Sequence, residues 1–259
     1  MNPFIKTDEG GSSMGEQTAV RSVERALDIL LCFTDKTELS LTEISQRVGL
    51  NKSTVFRLLA SLERKGFLQR NAENEKYRLG FRLWELSAHL SRVDDPAVML
   101  LPEMERLRDV LDETISLYVR DGKERVRVQA VESKQTIRRV APIGSRLPLS
   151  VGASSKILVA YADPETQKMI LNELNWSSSK DKEEFMLQLL HIQQTGYATS
   201  IEEREVGTSA IAAPIRNGAG QLVAALAISG PVGRLTMEKM KEFAPIVLNF
   251  ASRMGSMVK

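Results

Sequence analysis

Residues 40–59, with the sequence SLTEISQRVGLNKSTVFRLL, decide the fold of the N-terminal part of the chain. Ser40 and Glu43 have the spacing of a capping box, in which each side chain bonds the backbone amide of the other residue. Gly49 is typical of a helix C-terminus, and Asn51 is a favoured N-cap for a following helix. The stretch therefore predicts two short helices joined by a tight turn, which is a helix-turn-helix.

The second of these helices is predicted to be amphipathic. Its apolar residues follow helical spacing and should face the core: Val55, Leu58, Leu59 and Leu62. The opposite side carries short hydroxyls and cations: Lys52, Ser53, Thr54, Arg57, Ser61 and Arg64. The major groove of DNA admits such a helix. We expect Ser53 and Thr54 to bond phosphates or base edges, and Arg57 to pair with a guanine.

A short hairpin is predicted after the second helix. Residues 67–70 and 76–79 are strand-like and flank a polar turn at 71–75. A helix-turn-helix with a two-stranded appendage is a winged helix. The cations that we expect to contact phosphates or the minor groove from the wing and the first helix are Arg70, Lys76, Arg78 and Arg21.

Two further helices flank this winged helix. The first carries an apolar stripe: Val20, Val23, Leu27, Leu30 and Leu31. The second, over 81–91, has two stripes: Leu83, Leu86 and Leu90, and Phe81, Trp84 and Ala88. A helix that is apolar on two sides needs two surfaces against which to bury them. We therefore expect residues 81–91 to connect two domains and to meet a partner chain.

The remainder of the chain predicts an α+β domain. Strand-like segments lie at 114–120, 125–131, 137–142, 209–215 and 221–229, and helices are predicted at 153–161, 164–174, 181–194 and from Thr236. The sequence Asn217-Gly218-Ala219-Gly220 is a strong hairpin signal. These elements indicate an antiparallel sheet with flanking helices.

Charge is distributed unevenly along the chain. Residues 18–92 hold 13 basic and 9 acidic side chains, whereas residues 93–259 hold 21 of each. A basic excess confined to one segment favours a polyanionic partner. No apolar run approaches the roughly 20 residues of a membrane helix, and residues 1–17 lack the apolar stretch of a signal peptide. With a single cysteine, Cys32, we expect a cytoplasmic protein with no membrane partner.

The sequence offers little for an enzyme site. Ser154 and Lys156 lie too close for the S-x-x-K arrangement, so we expect Lys156 on an exposed helix surface. His89 and His191 have no nucleophile or carboxylate at a recognisable spacing. The acidic residues expected in a solvated loop are Glu202, Glu203 and Glu205. We predict no catalytic residue, no cofactor and no metal, although an all-carboxylate metal site stays open.

The chain resembles the IclR family of bacterial transcriptional regulators. Residues 41–59 are similar to the helix-turn-helix of that family, and Tyr77-Arg78-Leu79-Gly80 to its wing. Four later motifs also match: Arg146-Leu147-Pro148-Leu149, Gly196-Tyr197-Ala198, Ile211-Ala212-Ala213-Pro214 and Ile228-Ser229-Gly230-Pro231. The resemblance covers residues 18–255. It implies a winged helix, a connecting helix and a GAF-like effector domain, with dimers that often pair into tetramers on DNA.

The resemblance also implies an effector pocket among the loops of the sheet. Ala153 and Ser154 match the helix start whose amides would hold a carboxylate. The other matching positions are Ser200, Ala210, Ala227 and Ser229. Ser200 replaces an acidic residue and Ala210 a common cysteine, which leaves open a more apolar ligand or no ligand. The arginines near this edge, which would pair with an acid or serve as surface or interface cations, are Arg138, Arg139 and Arg146.

These observations predict an all-α winged helix-turn-helix with a small β-wing at 18–80 and an α+β GAF-like domain with an antiparallel sheet at 95–259. A flexible tail at 1–17 precedes them, and a linker helix at 81–94 joins them. We expect a transcriptional regulator, a repressor rather than an activator, that binds double-stranded operator DNA. A small carboxylate-bearing effector is expected to control its affinity for DNA. The competing interpretation is a small-molecule-binding or metabolic protein that uses its winged helix for protein association.

Overall fold

The computed structural model describes residues 19–88, 96–140, 142–174, 176 and 178–258. The chain divides into two compact units between Arg92 and Val93, and each unit is described by itself. The predicted tail at 1–17 and the part of the predicted linker from residue 89 onward lie outside the described residues.

The N-terminal unit contains the predicted winged helix. Its elements are α1 (Arg21–Leu31), α2 (Leu41–Val48), α3 (Lys52–Arg64), β1 (Leu68–Arg70), β2 (Tyr77–Leu79) and α4 (Phe81–Ala88). The strands β1 and β2 pair antiparallel, with Leu68 opposite Leu79. The helix-turn-helix and the two-stranded wing are thus confirmed.

Local chemistry sets the bounds of α2 and α3. The amide of Ser40 donates to Glu43 Oε2 at 2.8 Å, and the amide of Glu43 donates to Ser40 Oγ at 3.3 Å, so the capping box is confirmed. Gly49 ends α2 at a φ of 66°, in the left-handed region. Asn51 caps α3 by accepting from the amide of Thr54 at 2.9 Å.

The predicted apolar stripe on α1 does not face the core of this unit. Ile29 is fully buried, and Cys32 and Phe33 follow it into the core. The exposed members of the stripe are Val20, Val23, Leu27 and Leu31. Because apolar residues surround the C-terminal half of α1, two overlapping stripes are available, and periodicity does not decide which one is buried. In α4, likewise, no residue is buried.

The C-terminal unit is an α+β domain, as predicted. Its helices are α5 (Pro96–Met99), α6 (Leu101–Leu111), α7 (Ala153–Ala160), α8 (Pro164–Glu173), α9 (Ser179–Thr195) and α10 (Met237–Met257). Its strands are β3 (Thr114–Asp121), β4 (Glu124–Val131), β5 (Arg146–Pro148), β6 (Ala198–Ile201), β7 (Thr208–Arg216) and β8 (Leu222–Pro231). They form one antiparallel sheet in the order β5-β4-β3-β8-β7-β6.

The two faces of this sheet pack against different helices. Strand residues such as Leu117 and Ile211 join residues of α6 and α10 in one apolar core. Tyr118 and Ala212, on the opposite face, join residues of α7, α8 and α9 in a second core. The alternation of side chains along each strand therefore assigns every second residue to the α7 side.

Two strand assignments in the C-terminal unit differ from the sequence prediction. Residues 137–142 form no strand where they are described, and β5 lies later, at Arg146–Pro148. Side chains bond the backbone there instead: Thr114 Oγ1 donates to the carbonyl of Arg139 at 2.9 Å, and Arg234 Nη2 to that of Ile137 at 3.1 Å. The four-residue strand β6 was not predicted, because so short a segment carries no clear alternation.

Candidate nucleic-acid interface and effector cavity

Helix α3 presents a charged side opposite its buried side. Val55 and Leu59 are fully buried in the core of the N-terminal unit. Helical periodicity places Ser53, Arg57 and Arg64 on the opposite side, and all three are exposed. Within the described part of the chain, the cations on α3 that take part in no ion pair are Lys52, Arg57 and Arg64. Their charge is therefore available to a ligand.

The first turn of α3 is fixed by Asn51. Both the amide of Thr54 and the hydroxyl of Ser53 donate to Asn51 Oδ1 at 2.9 Å. Thr54 is half-buried, whereas Ser53 and the neighbouring Lys52 are exposed. The cap thus holds these side chains at the start of the helix, where the helix dipole favours an anion.

The cations of the wing are partly engaged within the wing itself. Arg70 pairs with Glu75 at 2.9 Å, and the Arg78 Nη2 atom donates to Gln69 Oε1 at 3.0 Å. Lys76 is half-buried and joins no ion pair among the residues described. Arg21, at the start of α1, is exposed. All nine residues predicted to contact DNA are thus exposed or half-buried, and their contacts with DNA stay predictions.

A cavity of about 50 Å³ lies on the α7 side of the sheet in the C-terminal unit. The adjacent strands β6, β7 and β8 place Ser200, Ala210 and Ser229 side by side in the cavity wall, because Ser200 lies opposite Ala210 and Ala210 lies opposite Ser229. All six residues predicted to bind an effector line it: Ala153, Ser154, Ser200, Ala210, Ala227 and Ser229. The structure thus brings the predicted set together, and binding of an effector there stays a prediction.

Arginines that the sequence prediction missed also line this cavity. Arg125 and Arg127 are only 3% and 2% exposed, and the ring of Tyr118 lies 5.4 Å and 5.2 Å from their guanidinium carbons. Arg204 lines the same cavity. The signal in the sequence was the alternation in β4, where two arginines two residues apart share one face.

Arg125 is a buried cation with incomplete hydrogen bonding. Its Nη1 atom donates to the carbonyl oxygens of Val151 at 2.6 Å and Pro148 at 3.3 Å. Its Nε atom is buried without an acceptor, and no acidic side chain among the described residues pairs with it. Burial, with a smaller contribution from Arg127, lowers the pKa of Arg125 to about 10, so it stays charged at neutral pH.

Lys156 is buried, which corrects the prediction of an exposed lysine. All eight residues of α7 are buried. The Lys156 ammonium forms an ion pair with Glu203 and donates to the carbonyl of Thr199 at 3.1 Å. Glu203 also accepts from the amide of Gly152 at 3.0 Å.

The predicted solvated acidic loop is exposed as expected at Glu202, Glu203 and Glu205, but its carboxylates are engaged in contacts that the sequence did not predict. Glu205 pairs with two arginines that line the cavity, Arg139 and Arg204, and Glu202 accepts from the amide of Gly207 at 2.6 Å. Together with the ion pair of Glu203, these contacts tie the loop between β6 and β7 to the walls of the cavity.

Of the three arginines predicted near this edge, only Arg139 lines the cavity. Arg138 pairs with Glu132 at 2.8 Å. Arg146 pairs with Glu124 at 2.7 Å and with Asp121 at 2.5 Å, on the exposed side of β5.

Two family models match the chain. The IclR helix-turn-helix domain matches residues 22–72, and the model of the bacterial transcriptional regulator IclR C-terminal domain matches residues 90–255. The chain belongs to the IclR family of transcriptional regulators. As an IclR-family member it is a DNA-binding transcriptional regulator, so the predicted family and the predicted class of function are confirmed.

Relatives of this IclR-family chain are similar over nearly their whole length. The transcriptional regulator KdgR of Escherichia coli (strain K12) is 31% identical over 243 residues, which cover 92% of each chain. The transcriptional repressor AllR of the same strain is 30% identical over 242 residues, which cover 91% of this chain and 89% of AllR.

A solved structure shares the fold as well. The IclR homologue from Microbacterium hydrocarbonoxydans, complexed with 4-hydroxybenzoate, has a TM-score of 0.79 and 26% identity. The match covers 92% of this chain and 98% of that one. Among the described residues of the present chain, no helix has the length and apolar character needed to cross a membrane.

Proposed function

We propose that this IclR-family chain is an effector-controlled repressor that acts in the cytoplasm as a dimer or tetramer. In this proposal, residues 18–80 read operator DNA, residues 81–94 connect the domains, and residues 95–259 bind the effector. The observation that carries the DNA-binding role is the exposed side of α3, where Lys52, Arg57 and Arg64 have no ion-pair partner among the residues described.

The predicted DNA-contacting side chains have three proposed roles. Arg57 lies at the middle of the exposed side of α3, where a guanidinium can pair with both acceptors of a guanine. Ser53 and Thr54 bond phosphates or base edges at the start of α3. The cations that hold phosphates or reach the minor groove are Arg21, Lys52, Arg64, Arg70, Lys76 and Arg78.

Apolar surface on the N-terminal unit supports a dimer. Phe81 and Trp84 on α4 stack with ring centroids 5.1 Å apart, yet they are 68% and 63% exposed. A second copy of the chain would cover this surface. Two winged helices in a dimer read half-sites about 34 Å, or a multiple of that distance, apart.

Effector control requires a ligand that binds two arrangements of the dimer with different affinity. The cavity supplies the site, and the linker is the segment through which its occupancy would change the separation of the two α3 helices. The structure of a relative complexed with 4-hydroxybenzoate and the name of the repressor AllR support control by a small molecule and repression.

The competing function, a small-molecule-binding or metabolic protein that uses its winged helix for protein association, has less support. Lys156 is engaged by Glu203 and is unsuited to activate a serine. We propose that the chain has neither a catalytic residue nor a cofactor.

A gel-shift assay of the full-length chain tests the DNA-binding function. Genomic fragments selected by the protein should compete for binding much better than random DNA of equal length. R57A should lose this preference, and D181N, which changes an acidic residue in the first turn of α9, should keep it. Equal competition by all fragments, or no shift at low salt, would overturn the function and favour protein association.

A further inference from the structure

We propose that the ligand of the effector cavity is a short dicarboxylate, a dianion of two to four carbons. This inference rests on the proposed effector-binding function and names the class of ligand for that site. It differs from the more apolar ligand that Ser200 and Ala210 alone suggest, because the charged walls of the cavity outweigh the loss of an acidic residue and a cysteine.

The charges around the cavity do not balance. Arg125 has no acidic partner among the described residues. Arg139 and Arg204 share a single carboxylate, that of Glu205. Lys156 and Glu203 neutralise each other. These groups leave two positive charges in excess, and uncompensated charge is costly where it is buried, as at Arg125.

Unbonded polar atoms collect at the same place. Arg125 Nε and Ser229 Oγ are buried without a hydrogen-bond partner, and both residues line the cavity. Ser116 Oγ is also buried and unbonded, and Ser116 lies opposite Ala227 of the cavity wall. Buried polar atoms are nearly always bonded in native proteins. The two unbonded groups in the cavity wall, Arg125 Nε and Ser229 Oγ, therefore indicate that a ligand with several acceptors completes the site.

The start of α7 offers a second kind of donor. Glu203 occupies the amide of Gly152, but the amides of Ala153 and Ser154 have no acceptor among the described residues. The Arg125 guanidinium lies beside this helix start, close to Gly152. One carboxylate of the ligand is thus assigned to Arg125 and the α7 amides, and the other to Arg139 and Arg204.

The size of the cavity limits the length of the ligand. About 50 Å³ corresponds to roughly three to five water positions, at about 10–15 Å³ each. This small space favours a short acid over a long or bulky one.

Carbon-matched acids test the inference by calorimetry with the full-length chain. We expect malonate to bind at least about tenfold more tightly than propionate, and succinate than butyrate, because charge-assisted hydrogen bonds form at both ends. R125Q and R139Q should each reduce the affinity for the dicarboxylates about tenfold, whereas the binding of propionate and butyrate should stay weak. R146Q is the matched control, since Arg146 is paired on the exposed side of β5, and its affinities should equal those of the unaltered chain.

Two results would overturn the inference, and they differ in what they leave standing. If propionate and butyrate bind as tightly as their dicarboxylate partners, the dianion is wrong but an effector cavity remains. If oxalate, malonate and succinate all fail to bind the folded chain and leave its DNA affinity unchanged, the proposal of a dicarboxylate ligand is wrong. If a wider screen of small molecules then finds no ligand, the effector part of the proposed function is refuted. R139Q keeps the test usable if R125Q does not fold.

Discussion

The side chain of Arg125 lies so close to Gly152 that a β-carbon at Gly152 would come within 3.0 Å of Arg125 Nη2. Gly152 has a φ of 93° and a ψ of 153°, a conformation that only glycine adopts easily. The glycine therefore does two things. It permits the turn into α7, and it lets a buried guanidinium approach the amides at the start of that helix.

This contact predicts that G152A destabilises the C-terminal unit. We expect a loss of about 1–3 kcal/mol from backbone strain, with a further loss from the displaced guanidinium, measured by urea unfolding. G122A is a control, because Gly122 also has a positive φ, 58°, but nothing within 4 Å of its added β-carbon. If G152A lowers the free energy of unfolding equally in the unaltered chain and in an R125A variant, the contact with Arg125 contributes nothing to stability.

The capping box of α2 predicts a second effect on stability. Removing the Ser40 hydroxyl in S40A should cost about 1 kcal/mol, because the amide of Glu43 loses its acceptor. The control is T42A, an exposed position in the first turn of the same helix, where alanine is a better helix former. Urea unfolding that gives S40A and T42A the same stability would refute the role of the cap.

The exposed stack of Phe81 and Trp84 predicts the effect of W84A on assembly. If a second copy covers this surface, W84A should shift sedimentation towards the monomer and weaken DNA binding, since one winged helix makes fewer contacts than two. V110A, at an exposed apolar position on α6, should leave both unchanged. A W84A chain with unaltered assembly, DNA affinity and ligand response would show that α4 does not couple the two functions.

Cys32 is predicted to be unreactive in the folded chain. Burial raises the pKa of its thiol, and the thiol donates to the carbonyl of Asp28 at 3.3 Å. Because the thiolate is the nucleophile, alkylation should be slow at pH 8 and should accelerate only at a higher pH than for an ordinary cysteine. Unfolding in urea should restore the ordinary rate. Fast alkylation of the native chain at pH 8 would contradict this.

The elements of the N-terminal unit could be predicted because local signals and core packing agree there. Ser40, Gly49 and Asn51 mark helix ends through bonds to their near neighbours in sequence. The buried side of α1 could not be predicted, because that choice depends on what covers each stripe. Ile29 is buried and Leu27 is exposed because Ile29 packs against residues of α2 and α3.

The charged walls of the cavity could not be predicted from the sequence for a related reason. Arg125 and Arg127 alternate with valines, which in an antiparallel sheet normally indicates a face open to solvent. Lys156, similarly, has no sequence signal for burial. Only the packing of α7 on the sheet covers these cations, and the partner of Lys156, Glu203, lies 47 residues away in the sequence. Contacts over such distances leave no periodic pattern.

The central claim is that the exposed side of α3 reads DNA sequence, and binding-site selection from random duplexes tests it most directly. The unaltered chain should select one motif with two half-sites. R57A should lose preference at one base position in each half-site, with about 1–3 kcal/mol less discrimination there. K76A should keep the motif while weakening all sequences alike and flattening the salt dependence. A motif that R57A leaves unchanged, or one that K76A alters at a single base, would contradict the account.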